Sequence, residues 1–343
     1  MNVKPITKPK FGVAIPTGTE GLMYPVPFAS AQDNIRIALA AERLGFDSVW
    51  GNDHVSTQHY VRGEFDRPPN YYAPMLVLAA IAQATSTLKV ATAILVTPFR
   101  HPVVIAKEAA TLDHLSGGRM ILGVGIGAYR EEFEAMYGPA ARRMQRGEML
   151  DEALGALEVL WNDEDASFSG KYYQFEHVQS YPKPLQRPVP VYIGGNSAEG
   201  RKRVARWATG WLPAVLSPDE VRAGVAEIRA HAEAIGRDAG PIDIAPQLAV
   251  SLGRTHEEAV AKFRSSQVYK HLQSLKRSTL KGQQSGTYEE RNLIGTPDEV
   301  REQIARYVDA GVTTFSALLF AEDTVDAFIE AMEWFSEDVM RKL

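Results

Sequence analysis

The chain of 343 residues contains no cysteine. Disulfide bonds, zinc–thiolate sites and thiol nucleophiles are therefore excluded. Long apolar runs are also absent: the longest, Met75 to Ala82, is far too short to span a bilayer. Residues 1–10 contain charges and prolines, not the apolar segment of a secretory signal peptide. We therefore expect a cytoplasmic protein that has no membrane partner.

Positive charge is neither abundant nor clustered, because 37 lysines and arginines stand against 42 acidic residues and give a net charge of −5. Proteins that bind nucleic acids normally present a concentrated basic patch. We therefore expect no nucleic-acid partner. Hydrophobic residues make up 45% of the chain, which is enough for one large core, and we predict that residues 1–343 form a single domain.

Short apolar segments alternate with amphipathic segments along the whole chain. This alternation is typical of right-handed strand–helix–strand units, which place the strands in a parallel sheet. The pattern predicts eight strands, at Phe11–Ile15, Ser48–Trp50, Leu88–Leu95, Met120–Val124, Val189–Ile193, Gly210–Leu212, Ile242–Val250 and Thr314–Leu319. It predicts helices between them, at Asp33–Leu44, Tyr72–Ala84, Val103–Leu115, Met144–Trp161, Pro218–Ala234 and Pro297–Ala310.

Two stretches depart from this alternation. Within residues 162–188, the segment Ala166–Phe175 alternates about a Ser169–Gly170 turn and predicts a β-hairpin insertion that covers one edge of the fold. Residues 269–292 predict either a solvated surface loop or a mobile loop that closes over an anionic ligand, with Arg291 as a contact to the substrate. This second stretch combines glycine and serine with basic residues, at Lys270, Lys276, Arg277, Lys281 and Arg291.

The most informative stretch is Thr111–Gly127. Its first half is the apolar end of a helix that Gly117 and Gly118 terminate, and its second half contains the buried strand Met120–Val124. Glycine then recurs at alternate positions, 123, 125 and 127. Glycine at such positions permits the close approach of a flat ligand or of another backbone, so we expect a binding site where this strand ends.

This stretch resembles the signature of the bacterial luciferase-like flavin monooxygenase superfamily. The resemblance implies a TIM (β/α)8 barrel with its active site at the carboxyl ends of the strands. Alternating units alone would also fit a doubly wound open sheet, but eight units and the resemblance favour the closed barrel. The segments that carry the resemblance, in the family's order, are Ala41–Trp50, Asp53–His54, Ala110–Asp113, Leu115–Arg119, Gly123–Gly125, Pro190–Ser197, Ala208–Trp211 and Gly295–Val300.

A glycine-rich turn, Gly194-Gly195-Asn196-Ser197, leads from the fifth predicted strand into a helix. Backbone N–H groups of such a turn and of the helix N-terminus bind phosphate without a lysine, and a serine hydroxyl adds a donor. The resemblance assigns the equivalent turn to the phosphate of the flavin. The structural alternative is a strand-to-helix turn with an asparagine or serine cap, and we favour the phosphate site.

His54 follows Asp53 directly after the second predicted strand. An imidazole at the carboxyl end of a barrel strand is suited to proton transfer near neutral pH, and relatives often have a histidine there. His54 is therefore the candidate catalytic residue, with a structural role as the alternative. We expect His101 to cap the next helix, and we expect the remaining histidines, including His59 and His114, to be surface residues.

The resemblance also places other groups around the cofactor. Gly127, Ala128 and Tyr129 would form the wall beside the isoalloxazine ring, with residues 130–132 at the rim. Thr92 would contact the cofactor from the third strand, where relatives have a bulge or a nonprolyl cis peptide.

The function that the resemblance implies is a two-component monooxygenase, in which a separate reductase supplies reduced FMN and the enzyme uses it with O2 to oxidise a small organic substrate. An enzyme that transfers hydride with the deazaflavin F420 is the alternative, indicated by Asp53–His54, Arg100 and the basic loop. A noncatalytic flavin-binding protein is also open. A metal-dependent hydrolase is not expected, because Phe11–Ile15 offers no pair of histidines. We expect a homo-oligomer, either a dimer or a tetramer.

Overall fold

The computed structural model describes residues 8–275 and 286–343. Most of its strands join one parallel sheet that closes into a barrel, with helices on the outside. The strands are β1 (Lys10–Ile15), β2 (Ser48–Gly51), β3 (Lys89–Thr92), β4 (Leu95–Val96), β5 (Met120–Gly125), β6 (Ala166–Ser169), β7 (Gln174–Val178), β8 (Val191–Gly194), β9 (Gly210–Leu212), β10 (Asp243–Ile244), β11 (Gln247–Leu252), β12 (Leu293–Gly295) and β13 (Thr314–Phe320). The helices are α1 (Ala31–Leu44), α2 (Pro74–Ala84), α3 (Pro102–Ser116), α4 (Arg130–Tyr137), α5 (Arg146–Asn162), α6 (Ala198–Trp207), α7 (Pro218–Ala234), α8 (His256–Ser265), α9 (Gln267–Ser274), α10 (Pro297–Asp309) and α11 (Val325–Asp338).

The positions around the barrel are occupied in order by β1, β2, β3, β5, β8, β9, the pair β10–β11, and β13. β13 pairs in parallel with β1. On the other side of β13, Thr313 donates its N–H to the carbonyl oxygen of Ile244 at 3.0 Å, and Ser316 donates to that of Pro246 at 3.1 Å. These bonds close the sheet. The predicted TIM barrel is therefore confirmed, and an open doubly wound sheet is excluded.

The predicted strands and helices are all present, with ends shifted by a few residues. Two of the predicted strands are divided. The third breaks into β3 and β4 at a cis peptide bond between Ala93 and Ile94, which agrees with the resemblance. The seventh breaks into β10 and β11 next to Pro246, which has no N–H to donate to a neighbouring strand.

The predicted hairpin is confirmed. β6 and β7 pair antiparallel, and the N–H of Gly170 donates to the carbonyl oxygen of Tyr173 at 2.9 Å. The insertion ends against α3, where the buried Asp113 carboxylate accepts the N–H groups of Leu185 and Gln186 at 2.7 and 2.9 Å. This aspartate of the family-like segment therefore fastens the insertion to the barrel.

Arg119, the last residue of the family-like segment Leu115–Arg119, joins α2 to α3. Its guanidinium donates to the carbonyl oxygens of Ser116, Leu88, Ala82 and Thr85, at 2.6, 2.6, 2.7 and 3.0 Å. Two of these carbonyls lie at the C-terminal end of α2, where the helix dipole favours a cation. Only a planar, multidentate side chain reaches all of them together, so this position favours arginine over lysine.

Large side chains fill the barrel interior. The rings of Trp50 and Tyr192 lie 5.7 Å apart and are almost completely buried. They fit because neighbouring positions are glycines: a β-carbon on Gly12 would lie 2.3 Å from the Trp50 indole, and one on Gly210 would lie 2.6 Å from the Tyr192 ring. The site for a ligand is therefore above these rings, at the carboxyl ends of the strands.

Candidate active site

The loops that follow β1 and β2 are joined to each other at the mouth of the barrel. Asn52 Oδ1 accepts the N–H of Gly18 at 2.9 Å, and Asn52 Nδ2 donates to the Gly18 carbonyl oxygen at 3.0 Å. The buried Glu20 carboxylate accepts the N–H of Phe28 at 2.6 Å and also that of Asn70. Because buried carboxylates and amides are satisfied in this way, the two loops form one fixed wall of the mouth.

His54 lies in this wall and pairs with Glu132. Oε2 of Glu132 is 3.0 Å from His54 Nδ1, and Oε1 accepts the N–H of Val55 at 2.9 Å. A carboxylate only accepts hydrogen bonds, so Nδ1 carries a proton and Nε2 is the nitrogen that remains for a ligand. The resemblance places Glu132 at the exposed rim. The structure corrects this expectation, because the Glu132 side chain is 2% exposed and holds His54.

Phenols and one amide surround His54. The rings of Tyr71 and Tyr129 lie 5.6 and 5.7 Å from the imidazole. Gln58 is buried and accepts the Tyr71 hydroxyl at 2.7 Å; its Nε2 lies 3.1 Å from His54 Nδ1, but with Nδ1 protonated both atoms are donors and this contact is not a hydrogen bond. The hydroxyls of Tyr60 and Tyr129 are 3.4 Å apart. Burial raises the pKa of Tyr71 and of Tyr129, so both phenols stay protonated; the Tyr71 hydroxyl donates to Gln58, and the Tyr129 hydroxyl is the donor candidate at the mouth.

His271 joins this group from α9. Its side chain is buried, and its Nδ1 lies 3.0 Å from the Tyr60 hydroxyl. Burial, with a smaller contribution from the charge of His54, lowers the pKa of His271 to about 3. The imidazole is therefore neutral near pH 7, and its Nδ1 is hydrogen-bonded to the Tyr60 hydroxyl. The expectation of a surface position is wrong for His271, whereas it is confirmed for His59 and His114.

The glycines at the strand ends serve packing within the protein. A β-carbon on Gly125 or on Gly194 would lie 2.9 Å from the side chain of Ile94, and one on Gly127 would lie 2.9 Å from Val96. The close approach predicted at these positions is therefore made by side chains of residues 94–96. Any contact of Gly127 or Gly194 with a cofactor has to come from backbone atoms.

Thr92 lies within the sheet. It is 1% exposed, and its hydroxyl donates to the carbonyl oxygen of Gly123 at 2.7 Å. The hydroxyl therefore joins β3 to β5, and the contact of Thr92 with the cofactor stays a prediction. Ala128 is exposed, and Tyr129 is half-buried beside His54. These two residues lie at the mouth, and their contact with the cofactor remains a prediction.

The predicted phosphate turn joins β8 to α6. Gly195 has φ +132°, a conformation that favours glycine, and a β-carbon there would meet nothing within 4 Å. Ser197 caps the helix, because its Oγ accepts the N–H of Gly200 at 3.1 Å. Asn196 makes two hydrogen bonds with the backbone of Ala214, of 2.8 and 2.9 Å. The serine cap is thus present, and the turn also offers an open backbone at a helix N-terminus, which suits an anion.

Arg146, at the start of α5, is a candidate that the sequence analysis misses. Its guanidinium donates to the carbonyl oxygen of Gly127 at 2.8 Å and lies 4.8 Å from the centre of the Phe133 ring. Desolvation, followed by repulsion from Arg130, lowers its pKa. In the part of the chain that the structure describes, no carboxylate forms an ion pair with Arg146. A half-buried cation without an acidic partner is a candidate anion-binding group.

Two other arginines that the sequence associates with anionic ligands are bound to carboxylates. Arg100 donates to both oxygens of the buried Asp53, at 2.5 and 3.0 Å. Arg291 is 2% exposed and pairs with Glu220, with one guanidinium nitrogen 3.1 Å from Oε1. Arg291 therefore lies in a buried ion pair, and its contact with the substrate stays a prediction. Residues 276–285, which contain three of the basic residues of the predicted loop, lie outside the described residues.

Comparison with known proteins identifies the family. Residues 9–314 match the family model of the luciferase-like monooxygenases. The chain belongs to this family. It is 29% identical over 330 residues to an F420-dependent glucose-6-phosphate dehydrogenase of Amycolatopsis mediterranei, covering 91% of this chain and 94% of that protein. It is 30% identical over 321 residues to an FMNH2-dependent dimethylsulfone monooxygenase of Pseudomonas putida, covering 86% of this chain and 85% of that protein.

The fold is shared with solved structures of luciferase-like enzymes. The monooxygenase RslO1 of Streptomyces bottropensis superposes with a TM-score of 0.75 at 24% identity, covering 97% of this chain and 99% of that one. The chain is accordingly an oxidoreductase of the luciferase-like family. Relatives that use FMN and relatives that use F420 both occur among its matches.

Two further observations concern only residues 8–275 and 286–343. Within them, no group of three or more histidine, aspartate or glutamate side chains is placed to hold a metal ion. No helix there is long and apolar enough to cross a membrane.

Proposed function

We propose that this luciferase-like oxidoreductase is the oxygenating component of a two-component monooxygenase that uses reduced FMN. The observation that carries the proposal is the arrangement at the mouth. There, the imidazole of His54 is held by the buried Glu132, while the open turn at Gly195–Ser197 and the unpaired Arg146 provide donors for a phosphate. A proton-transfer group and an anion cradle on the same end of a barrel fit a phosphorylated redox cofactor.

The residues present fit FMN. The phosphate would be held by the backbone N–H groups of Asn196 and Ser197 at the start of α6, and by the Arg146 guanidinium. Ala128 and Tyr129 would border the ring system. When bound, reduced FMN supplies the electrons for the reaction with O2.

The chain's own side chains would provide proton transfer and orientation. With Nδ1 fixed on Glu132, His54 can hold or release a proton at Nε2, which is the atom directed to a bound molecule. The phenol of Tyr129, kept protonated by burial, would donate a hydrogen bond to a polar atom of the substrate. The aromatic residues that border the mouth would also reduce the access of water.

The charged groups of the mouth favour FMN over F420. F420 carries a longer anionic tail, and Arg100 was the arginine expected to bind it. Arg100 is instead neutralised by the buried Asp53, and Arg291 by Glu220. A cofactor with a single phosphate therefore matches the charges of the described residues better than one with an extended anionic tail.

The proposal includes a separate flavin reductase as a partner, because the relative that is named for FMNH2 takes its flavin already reduced. The substrate would be a small organic molecule with an apolar body, since Tyr60, Tyr71 and Tyr129 surround the space beside His54. F420-dependent hydride transfer remains the alternative, supported by a relative of that activity over most of the chain.

Anaerobic titration of the protein with photoreduced FMN and, separately, with reduced F420 would test the proposal. We expect saturable binding of reduced FMN and faster oxygen consumption when a flavin reductase and a substrate panel are added. Tight binding of F420 alone, with hydride transfer that does not require O2, would establish the alternative. Bound FMN without turnover on any substrate would indicate a noncatalytic flavin-binding protein.

A further inference from the structure

A small cavity lies in the floor of the mouth, where the upper end of the barrel interior is closed by Trp50. Its volume is about 30 Å³, close to the space that one water molecule occupies in the liquid. It can therefore take the edge of a larger molecule but not a whole ring. Ile15 and Met23 belong to its apolar lining, and Asn52 and Gln247 contribute side-chain amides. Met23, Asn52 and Gln247 are partly exposed, so the cavity is reached from the mouth.

Gln247, the first residue of β11, reaches across the barrel to the opposite wall. Its Nε2 donates to the carbonyl oxygen of Ala93, which follows β3, at 3.4 Å. In the order of strands around the barrel, β3 has the third position and the pair β10–β11 has the seventh, so the two face each other across the axis. The side-chain amide of Gln247 therefore lies in the middle of the mouth, below any molecule that is bound across it.

The Gln247 amide keeps an acceptor and a donor for a ligand. A carbonyl oxygen only accepts hydrogen bonds, so the contact with Ala93 directs Nε2 to that side and leaves Oε1 on the other. Within residues 8–275 and 286–343, nothing is bonded to Oε1, and this atom is not enclosed by the protein. The second N–H of Nε2 has no acceptor there either.

The other amide of the lining is already used. Oδ1 of Asn52 accepts the N–H of Gly18 at 2.9 Å, and its Nδ2 donates to the carbonyl oxygen of Gly18 at 3.0 Å. These bonds join the loops that follow β1 and β2. Gln247 is therefore the better placed of the two amides to bind a ligand at the floor of the mouth.

We propose that Gln247 binds the pyrimidine edge of the cofactor's ring system. That edge presents an N3–H donor between two carbonyl oxygens. A side-chain amide matches it, because Oε1 accepts from N3–H while the free N–H of Nε2 donates to a neighbouring carbonyl oxygen. The inference rests on the proposed function for the presence of a flavin-type cofactor at the mouth. FMN and F420 share this pyrimidine edge, so the role of Gln247 is the same for either cofactor.

Anaerobic titration of the full-length protein with photoreduced FMN and with photoreduced 3-methyl-FMN tests this role. 3-Methyl-FMN has a methyl group in place of the N3 hydrogen and keeps the phosphate. We expect it to bind about tenfold more weakly than FMN, because the hydrogen bond to Oε1 of Gln247 is lost. Equal affinities for the two flavins would overturn the proposal, and this comparison requires no variant.

Gln247→Met removes the amide and keeps an unbranched side chain of similar size. It should weaken the binding of reduced FMN about tenfold and that of 3-methyl-FMN much less, so the preference for FMN should fall at least about fivefold. Gln83→Met on α2 is the matched control. Gln83 also donates from Nε2 to a backbone carbonyl oxygen, that of Leu115 at 2.7 Å, but it is exposed and does not line the cavity.

The outcomes separate the role of Gln247 from the proposed function. An unchanged preference for FMN in folded Gln247→Met would overturn the role and leave the monooxygenase proposal intact, because FMN still binds. Binding of reduced F420 but not of reduced FMN would refute the monooxygenase. Gln247→Met should then weaken F420 binding about tenfold, and an unchanged F420 affinity would overturn the role. A parent protein that binds neither cofactor would contradict both proposals.

Discussion

Glu132 and His54 form a pair in which the carboxylate fixes both the ring and the backbone that follows it. One oxygen of Glu132 lies 3.0 Å from Nδ1 of His54, and the other accepts the N–H of the next residue, Val55, at 2.9 Å. The side chains are 2% and 14% exposed, respectively. The buried member thus sets the orientation and tautomer of the member that faces the mouth, an arrangement typical of histidines that transfer protons.

Replacement of His54 by alanine should lower turnover far more than it lowers stability. General acid or base assistance is worth about 10²–10⁴ in rate, so we expect kcat to fall within that range. The melting temperature should change little, because the mouth contributes little to the core. His59→Ala, at an exposed position five residues along the same loop, is the control. Normal turnover combined with a clear loss of stability would assign His54 a structural role.

Glu132→Gln tests the positioning role of the carboxylate. The amide can still accept the N–H of Val55, but it no longer stabilises a positive charge on His54. We therefore expect kcat to fall, with a smaller change in KM. Glu131→Gln is the matched control, because its carboxylate accepts the N–H of His59 and does not contact His54. An unchanged kcat in Glu132→Gln, with reduced stability, would contradict the role.

Most of the fold could be predicted from the sequence because each barrel unit carries its own local signal. Apolar runs such as Met120–Val124 mark buried parallel strands, and the spacing of apolar residues in α5 marks a helix face. The divisions of the third and seventh strands could not be read from periodicity. The apolar pattern continues through Ala93–Ile94 and past Pro246, whereas the break is a property of the backbone.

The candidate site was less predictable, because its residues come from distant parts of the chain. His54 was identified by its place after a strand, but its partner Glu132 is 78 residues away. His271 had a local signal, since it shares the buried face of α9 with Val268 and Leu272, three and one positions away. Arg146 had none: nothing in its sequence context indicates that no carboxylate of the described residues pairs with it.

Ser197→Glu should weaken FMN binding more than riboflavin binding. The new carboxylate would lie at the N-terminus of α6 beside the open backbone of Gly195, where it would repel the FMN phosphate, and riboflavin has no phosphate. Fluorescence titration with both flavins measures the difference. Thr324→Glu is the control, because Thr324 caps α11 in the same way on another side of the barrel. Equal losses for FMN and riboflavin would show that this turn does not bind the phosphate.

Arg119→Lys should destabilise the protein without changing its kinetic constants. Lysine can replace only part of the hydrogen bonds that the guanidinium makes to four carbonyl oxygens, and buried carbonyls would lose their donors. We expect the free energy of unfolding to fall by about 2–4 kcal/mol, measured by urea denaturation. Arg222→Lys, in an exposed ion pair with Asp219, should change it by less than about 0.5 kcal/mol. A similar effect in both variants would contradict the buttressing role of Arg119.

His271 should make the stability of the fold depend on acid pH. Burial lowers the pKa of His271 in the folded protein to about 3 from its ordinary value of 6.5. Between these values the unfolded chain binds one more proton at this residue than the folded protein does, so the free energy of unfolding decreases as the pH falls below about 6.5. The decrease in the free energy of unfolding that His271 causes approaches about 1.4 kcal/mol for each pH unit.

The variant His271→Asn isolates this contribution, because Oδ1 of asparagine can accept the Tyr60 hydroxyl in place of Nδ1 and does not titrate. Urea denaturation at pH 7, 6 and 5 should show that the free energy of unfolding falls less steeply with decreasing pH in the variant than in the parent. The difference between the two slopes should correspond to one bound proton. His59→Asn is the control and should parallel the parent, since His59 is exposed. Parallel curves for His271→Asn and the parent would mean that His271 accepts a proton in the folded state. The His271 imidazole beside Tyr60 would then not be neutral in the folded protein at acid pH.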